Sequence, residues 1–298
     1  MPAVGQGRRA GRPVKISFSL YFTEVASIED FKGKFRECSE RLEAELTASS
    51  MRRELAARFV VIWTLLTRIP LPRKWWPETM PEGNRTLALA PVAGGLMGLL
   101  TGLVVTAAGW LGLAPLPCAW IGAAFYFVIG WALHLDGWGD VWDGVGSGRS
   151  GDKLREVMKD SRLGSFGGAS LVLAFGLWTA LLSSVAPGDR LAACVTAAAA
   201  ARFGENAAAY FGLYPWESGM AKGWVDGFTL YDLFTALVSL VVFLPFAPLR
   251  LPLCAAAAGL AGFAAARYMN ERLGGVNGDV MGAVAVASEI ISMAVWAI

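Results

Sequence analysis

From Leu87 to Ile298 the chain is a succession of apolar runs of roughly bilayer-spanning length: about 87–114, 118–135, 166–186, 191–214, 230–249, 251–266 and 280–298. A hydrocarbon layer of about 30 Å needs about 20 apolar residues at a helical rise of 1.5 Å, so each run reads as a membrane helix. Hydrophobic residues make up 55% of the chain, charged residues only 17%, and mean hydropathy is +0.48. That charge content is too low for an ordinary soluble domain. The expected fold class is therefore all-α: a polytopic membrane helix bundle of about seven spans in a lipid bilayer, plus a short interfacial or re-entrant N-terminal helix.

That N-terminal helix is Leu55 to Ile69, apolar but short and closed by Pro70 and Pro72. Arg73, Lys74, Trp75 and Trp76 follow, the basic and indole side chains of an interfacial anchor. Residues 1–50 read as an extension to the membrane-embedded domain at 51–298. Met1 to Lys15 is basic and Gly/Pro-containing, and Ser27 to Leu46 reads as a short soluble helix; with no apolar h-region, the segment is not a signal peptide. Cys38, Cys118, Cys194 and Cys254 lack CxxC spacing and read as packing residues, with neither a zinc site nor a disulfide framework. The net charge of +2 gives no reason to expect a nucleic-acid partner.

The alternation of spans puts 70–86, 136–165, 215–229 and 267–279 on one side. Those loops hold Arg73, Lys74, Arg85, Arg149, Lys153, Arg155, Lys159, Arg162, Lys222, Arg267 and Arg272, against only Arg190 and Arg250 opposite. The positive-inside rule turns the cation-rich side to the cytoplasm, as expected for a multi-pass protein of the inner membrane.

On that side lies an island of acid, base and glycine, HLDGWGDVWDGVGSGRSGDKLREVMKDSRLGSFG, from His134 to Gly167. Asp136, Asp140 and Asp143 stand at i, i+4 and i+7, so on a helix they share one face. At about 6 Å and an effective dielectric of about 20, each pair repels by about 3 kcal/mol. A cation would relieve this, and an all-oxygen site with no Cys favours Mg²⁺, with Mn²⁺ or Ca²⁺ as alternatives. Gly144 to Gly151 offers a glycine turn that could cradle phosphate, although no GK[ST] ends it. A short amphipathic helix is expected from Asp152 to Leu163, carrying Glu156 and Asp160 with Lys153, Arg155, Lys159 and Arg162. Carboxylates for a metal beside cations for phosphate oxygens are the parts of a phosphoryl-transfer site.

Arg202, Glu205 and Asn206 interrupt the fourth span, and Glu289 the last. An ionised group at mid-membrane costs about 3 kcal/mol on insertion scales, so these residues face a cavity or each other. Two further loops on the island's side, YPWESGMAKG (Tyr214 to Gly223) and GGVNGDVMGA (Gly274 to Ala283), bring Lys222, Asn277 and Asp279 among glycines.

LHLDGWGDVWDG (Leu133 to Gly144), SGRS (Ser147 to Ser150) and EVMKDSRLGSFG (Glu156 to Gly167) resemble the cobalamin synthase family, adenosylcobinamide-GDP ribazoletransferase. TRIPLP (Thr67 to Pro72), APVAGGLMG and Gly274 to Ala283 extend the likeness over about Phe59 to Glu289. Glu217 and Ser218 depart from it, standing where the family usually carries an Arg. The resemblance implies a Mg²⁺-dependent reaction of adenosylcobinamide-GDP with α-ribazole or α-ribazole 5′-phosphate, in which a ribazole hydroxyl attacks the pyrophosphate and GMP leaves. In that reading Asp136, Asp140 and Asp143 bind the metal. Asp160 completes the site or acts as general base, Lys159 and Arg162 hold phosphate oxygens, and His134 is a base by residue type. Ser147, Arg149, Ser161, Arg202, Asn206, Asn277 and Asp279 join Lys159 and Arg162 as substrate- and phosphate-binding candidates. A homo-oligomer, or association with other corrinoid-pathway enzymes, is a further expectation.

Rival readings share parts of the pattern. A CDP-alcohol phosphotransferase motif also begins DxxDG, as at Asp140 to Gly144, but its Ala-Arg pair and later GxxxDxxxD are missing at the required spacing. An aspartate-rich prenyltransferase would want two acidic clusters. A transporter would use Arg202, Glu205 and Glu289 as its pathway, yet most acids gather at one membrane face and no inverted repeat is visible.

Overall fold

The computed structural model describes residues 32–40, 49–130, 132–219 and 221–298, and the chain divides into two units, Met1–Thr47 and Ala48–Ile298. In the first unit, residues 32–40 form a helix within the stretch expected to be one; the rest of that stretch and the basic Met1 to Lys15 lie outside the described residues.

The second unit is helical, with no strand among its described residues. Its principal helices are α1 (Ser49–Leu66), α2 (Ala90–Trp110), α3 (Pro115–Gly130), α4 (Leu133–Gly146), α5 (Asp152–Met158), α6 (Ser165–Ser184), α7 (Arg190–Phe211), α8 (Leu230–Ser239), α9 (Arg250–Arg272) and α10 (Gly278–Ala297). The bundle is built around α7, which packs against α2, α9 and α10 and buries the run Ala197 to Ala201. Between apolar helices in lipid, close packing replaces the hydrophobic drive, so small residues gather where backbones meet. A Cβ on Gly98 of α2 would stand 2.3 Å from the Cys194 carbonyl oxygen, and one on Gly262 of α9 would stand 2.2 Å from that of Gly204. Both helices therefore rest on α7 through glycine.

The expected count of about seven spans is not confirmed by the helices. Among the described residues, four helices are long and apolar enough to cross a membrane: Gly83–Trp110, Ser165–Ser184, Arg250–Arg272 and Gly278–Ala297; a bent pair, α3 with α4, makes five if taken as one span. Three of the expected spans fall short for visible reasons. The run 118–135 breaks after Gly130, where α3 and α4 meet at 94°. Ala132 there has φ +55°, and its N–H donates to the Phe127 carbonyl (3.3 Å), an i→i−5 bond of the kind that ends helices. The run 191–214 has the length but carries Arg190, Arg202 and Glu205. The run 230–249 shortens because α8 tightens into a 3₁₀ segment, Leu240–Phe246, which contains Pro245.

The loops expected on one side do gather at one end of the bundle. Asn84 Nδ2 donates to the Gly227 carbonyl (3.0 Å), Gly151 N–H to the Arg272 carbonyl (2.7 Å), and Val276 N–H to the Leu213 carbonyl (2.8 Å). At the same end Arg155 lies over the Trp216 ring, 4.6 Å from its centroid. The helix expected from Asp152 to Leu163 stops at Met158, leaving Lys159 to Leu163 as a loop.

Glycine contact between α2 and α7 makes a direct prediction. Gly98→Val should lower unfolding stability in detergent by about 2 kcal/mol, the ordinary cost of overpacking, as read by thermal melting of the helical signal. Gly109→Ala, at a position of α2 with nothing within 4 Å of the added carbon, should leave the melting point unchanged or slightly raised.

Candidate active site

The acidic helix α4 is amphipathic in an unusual sense. Its apolar and glycine positions pack inward, with Gly137, Gly139, Val141 and Gly144 buried, while Asp136 is exposed and Asp140 and Asp143 are half-buried. Gly137 is required where α4 crosses the start of α10: a Cβ there would lie 2.7 Å from the Asp279 carbonyl oxygen. That crossing brings a fourth acid to the cluster. Asp140 has Asp136, Asp279 and Asp143 as its charged neighbours. Asp279 is held by Asn277, whose Nδ2 donates to Asp279 Oδ2 (2.8 Å) while its Oδ1 caps α10 by accepting from Val280 N–H (3.0 Å).

Asp143 does something different from its two neighbours. Its Oδ2 accepts from Gly164 N–H and its Oδ1 from Gly167 N–H, both at 2.7 Å. Asp143, expected as a third metal ligand, thus meets the N-terminus of α6, whose first amides have no other helical partner.

The loop so held carries the cationic half of the site. Lys159, Asp160, Ser161 and Arg162 line a cleft of about 550 Å³ together with Asp136, Asp140 and an apolar wall that includes Phe127, Leu171 and Phe175. Arg162 grips Asp160 through two parallel bonds, Nε to Oδ1 (3.0 Å) and Nη2 to Oδ2 (2.7 Å). Those bonds hold the Asp160 carboxyl down at about 2. Both Asp160 oxygens are engaged by Arg162, so the pair orients the guanidinium in the cleft wall.

The donor chemistry fits a hard divalent cation. Asp136 and Asp140 make no ion pair among the described residues, and they offer only oxygen. No group of three or more carboxylate, histidine or cysteine side chains among the described residues is arranged to enclose a metal by itself. A cation here would take its other positions from water and substrate oxygens, as Mg²⁺ does at phosphate sites.

Beneath the cleft, and sharing Phe127, Ala132, Leu135 and Phe175 with it, is a smaller cavity of about 60 Å³ floored by a buried polar network. Arg202, fully buried, donates from Nη1 to Glu205 (3.2 Å) and from Nη2 to the Tyr126 hydroxyl (3.0 Å), and lies 3.5 Å from Glu289. Tyr126 in turn donates to Glu289 at 2.6 Å. His134 Nδ1 lies 3.3 Å from Arg202 Nη2 and its Nε2 lies 2.8 Å from Glu205 Oε1. Arginine only donates, so these partners assign Nδ1 as acceptor and Nε2 as the protonated nitrogen. Both ring nitrogens of His134, expected as a base by residue type, are engaged in this network, and His134 does not line the cleft. Asn206, also expected to bind substrate, donates from Nδ2 to the Arg202 carbonyl (2.7 Å) inside the same buried layer.

The remaining candidates sit outside the cleft wall. Ser147 Oγ donates to the Gly144 carbonyl (2.6 Å) at the end of α4, and the Arg149 carbonyl accepts from Arg272 Nη2 (3.0 Å). Gly144 and Gly146 are helical; only Gly148 (φ +68°) and Gly151 (φ +59°) form a turn, and the Gly151 amide is used by Arg272, so no free phosphate cradle forms there. Sequence reading missed Tyr126 and the aromatic wall. The available signal for Tyr126 was a phenol in an apolar run, which needs a partner when buried.

Taken as a class, the fold and cleft define a polytopic α-helical membrane protein with an acid- and cation-lined cleft at one end of its bundle. The sequence pattern of the cobalamin-5-phosphate synthase family matches residues 58–297, and the chain belongs to that family. Among its relatives, the adenosylcobinamide-GDP ribazoletransferase of Bradyrhizobium diazoefficiens is 36% identical over 229 residues, 74% of this chain and 87% of the relative. The proteins of the same name from Brucella anthropi and Brucella canis are 38% and 36% identical over 120 and 143 residues, 40% and 47% of this chain. These shorter alignments span about half of those relatives, 46% and 55% of their lengths. No solved structure matches the chain. Family membership sets aside the phosphotransferase, prenyltransferase and transporter readings.

The buried network is testable apart from catalysis. Arg202→Met strands Glu205 and Glu289 without a cation and should cost about 3–5 kcal/mol, seen as a large fall in melting temperature in detergent. Adding Glu205→Gln and Glu289→Gln should recover most of it, whereas Arg202→Lys should not, because an ammonium cannot reproduce the planar fork.

Proposed function

We propose that this protein transfers the phosphocobinamide group of adenosylcobinamide-GDP to α-ribazole or its 5′-phosphate, with release of GMP. Its family makes it a transferase of cobalamin biosynthesis, and its relatives carry the name of this reaction. The observation that carries the residue-level reading is the cleft, where Asp136 and Asp140 face Lys159, Asp160, Ser161 and Arg162 across a space of about 550 Å³.

In this reading Lys159 and Arg162 bind the pyrophosphate oxygens, Lys159 as a mobile point charge and Arg162 as a fork held at a fixed angle by Asp160. Asp136 and Asp140, with Asp279 beside them, would hold Mg²⁺. Bound there, the ion would neutralise charge on the pyrophosphate and on the departing phosphate oxygen of GMP. The ribazole hydroxyl attacks the phosphorus attached to cobinamide, the bond to the GMP oxygen breaks, and the hydroxyl proton passes to solvent water. The apolar wall of Phe127, Leu171 and Phe175 limits the water that competes with the ribazole hydroxyl. The excess of cations in the loops at this end supports a cytoplasmic opening, where nucleotide-linked substrate is made.

The deciding experiment is an assay in detergent or proteoliposomes with adenosylcobinamide-GDP and α-ribazole, following corrinoid product and GMP with and without Mg²⁺. Both products should form in equal amounts and only with the metal. Asp140→Asn should lower turnover by at least about a hundredfold. Formation of GMP without corrinoid product would identify a hydrolase instead, and no release of GMP under any condition would overturn the assignment.

A further inference from the structure

Asp143 is the acid of α4 that the cleft does not use. It does not line the cleft as Asp136 and Asp140 do, and its two oxygens accept from Gly164 N–H and Gly167 N–H at 2.7 Å each. The helix it meets cannot cap itself. The residue before α6 is Gly164, which has no side chain to offer, and no side-chain cap bond is made there. A carboxylate at a helix N-terminus gains from charge-assisted bonds and from the helix dipole together. The fit is close on both sides: a Cβ on Gly164 would stand 2.4 Å from Asp143 Oδ1, and one on Gly167 2.3 Å from Oδ2.

We propose that Asp143 is a positioning residue, a cap supplied from another helix that fixes the cationic segment against the acidic helix, and not a ligand of the cation. The inference rests on reading the cleft as the catalytic site. Between the end of α5 at Met158 and the start of α6 at Ser165, Lys159 to Gly164 has no regular structure. One end of this segment is set by Met158, buried against the Gly144 surface of α4; the other is set by Asp143. Lys159, Asp160 and Arg162 hang between these two attachments. Their distance from Asp136 and Asp140 is therefore governed by a carboxylate one helical turn further along the same face of α4.

The test uses the full chain in detergent and has two readouts. The first is amide hydrogen exchange of the 159–167 segment with chelator present and no metal added. Asp143→Asn, which keeps one acceptor and replaces the other with a donor, should speed exchange at Gly164 or Gly167 at least about tenfold. Asp136→Asn should leave exchange there unchanged. Gly167→Ala should reproduce the faster exchange, because its methyl occupies the place of an Asp143 oxygen while every carboxylate is kept. The second readout is the Mg²⁺ concentration giving half-maximal transfer. It should rise at least about tenfold for Asp136→Asn and stay within about twofold for Asp143→Asn, whose loss should fall on kcat.

Unchanged exchange in both Asp143→Asn and Gly167→Ala would overturn the proposal, as would a shift in Mg²⁺ requirement in Asp143→Asn equal to that of Asp136→Asn. If the corrinoid pair is not turned over at all, the functional reading fails while the exchange comparison still decides the cap. Should Asp143→Asn fail to fold, Gly167→Ala carries the same comparison alone.

Discussion

A guanidinium with no exposed surface sits at the centre of this bundle, and its partners come from four helices: Tyr126 from α3, His134 from α4, Glu205 from its own α7 and Glu289 from α10. Desolvating such a charge costs several kcal/mol, and the cost is offset only where the fork of donors meets acceptors in good geometry. A slip of one helix by a residue would break two or more of these bonds at once. The network therefore acts as a register device more than as a source of net stability. His134 is the second residue of α4, so satisfying Arg202 also fixes where the acidic helix begins and how sharply it leaves α3.

From that start the charges of the site sort themselves. Several acids of the second unit have a donor: Glu205 and Glu289 in the network, Asp160 on Arg162, Asp226 on Lys222, Asp232 in the cap of α8, Asp143 on two amides and Asp279 on Asn277. Asp136 and Asp140 share a cleft with Lys159 and Arg162 yet are not ion-paired with them. In the proposed reading, two neighbouring carboxylates free of cationic side chains would be available to a cation from outside. The nearby Arg162 is kept from collapsing onto them by its own aspartate, which stores the positive charge at a set place in the cleft wall.

Much of this was legible in the sequence because it is written in period and composition. The apolar runs announced helices, the i, i+4, i+7 spacing announced a carboxylate face, and loop cations announced which connections share an end. What could not be read is what depends on contact between distant elements. Nothing in the spacing of Asp143 separates it from Asp136 and Asp140; only the arrival of Gly164 and Gly167 does so. His134 looks like a base until Arg202 and Glu205, about seventy residues further along the chain, take both ring nitrogens. The bend is a further case: hydropathy registers 118–135 as one run, whereas the chain turns by 94° between α3 and α4, with Ala132 at positive φ.

The position of the cleft also bears on why a reaction of polar substrates would be carried out by a membrane protein. A group activated as a pyrophosphate is open to attack by any hydroxyl, and water is the most abundant. Selectivity for a nucleoside hydroxyl then needs a site where the polar groups are confined to one rim and the rest of the wall cannot hold water in an attacking position. The bent pair of α3 and α4 supplies this arrangement. Its first half, α3, contributes Phe127 to the wall with Leu171 and Phe175 of α6, while its second half, α4, turns Asp136 and Asp140 to the rim. An apolar wall and a carboxylate rim from one nearly right-angled turn are difficult to build in a small soluble domain, where such a wall would be a surface liability. In a bundle already apolar on its outside, the wall is continuous with the surface around it, and only the rim has to be specified.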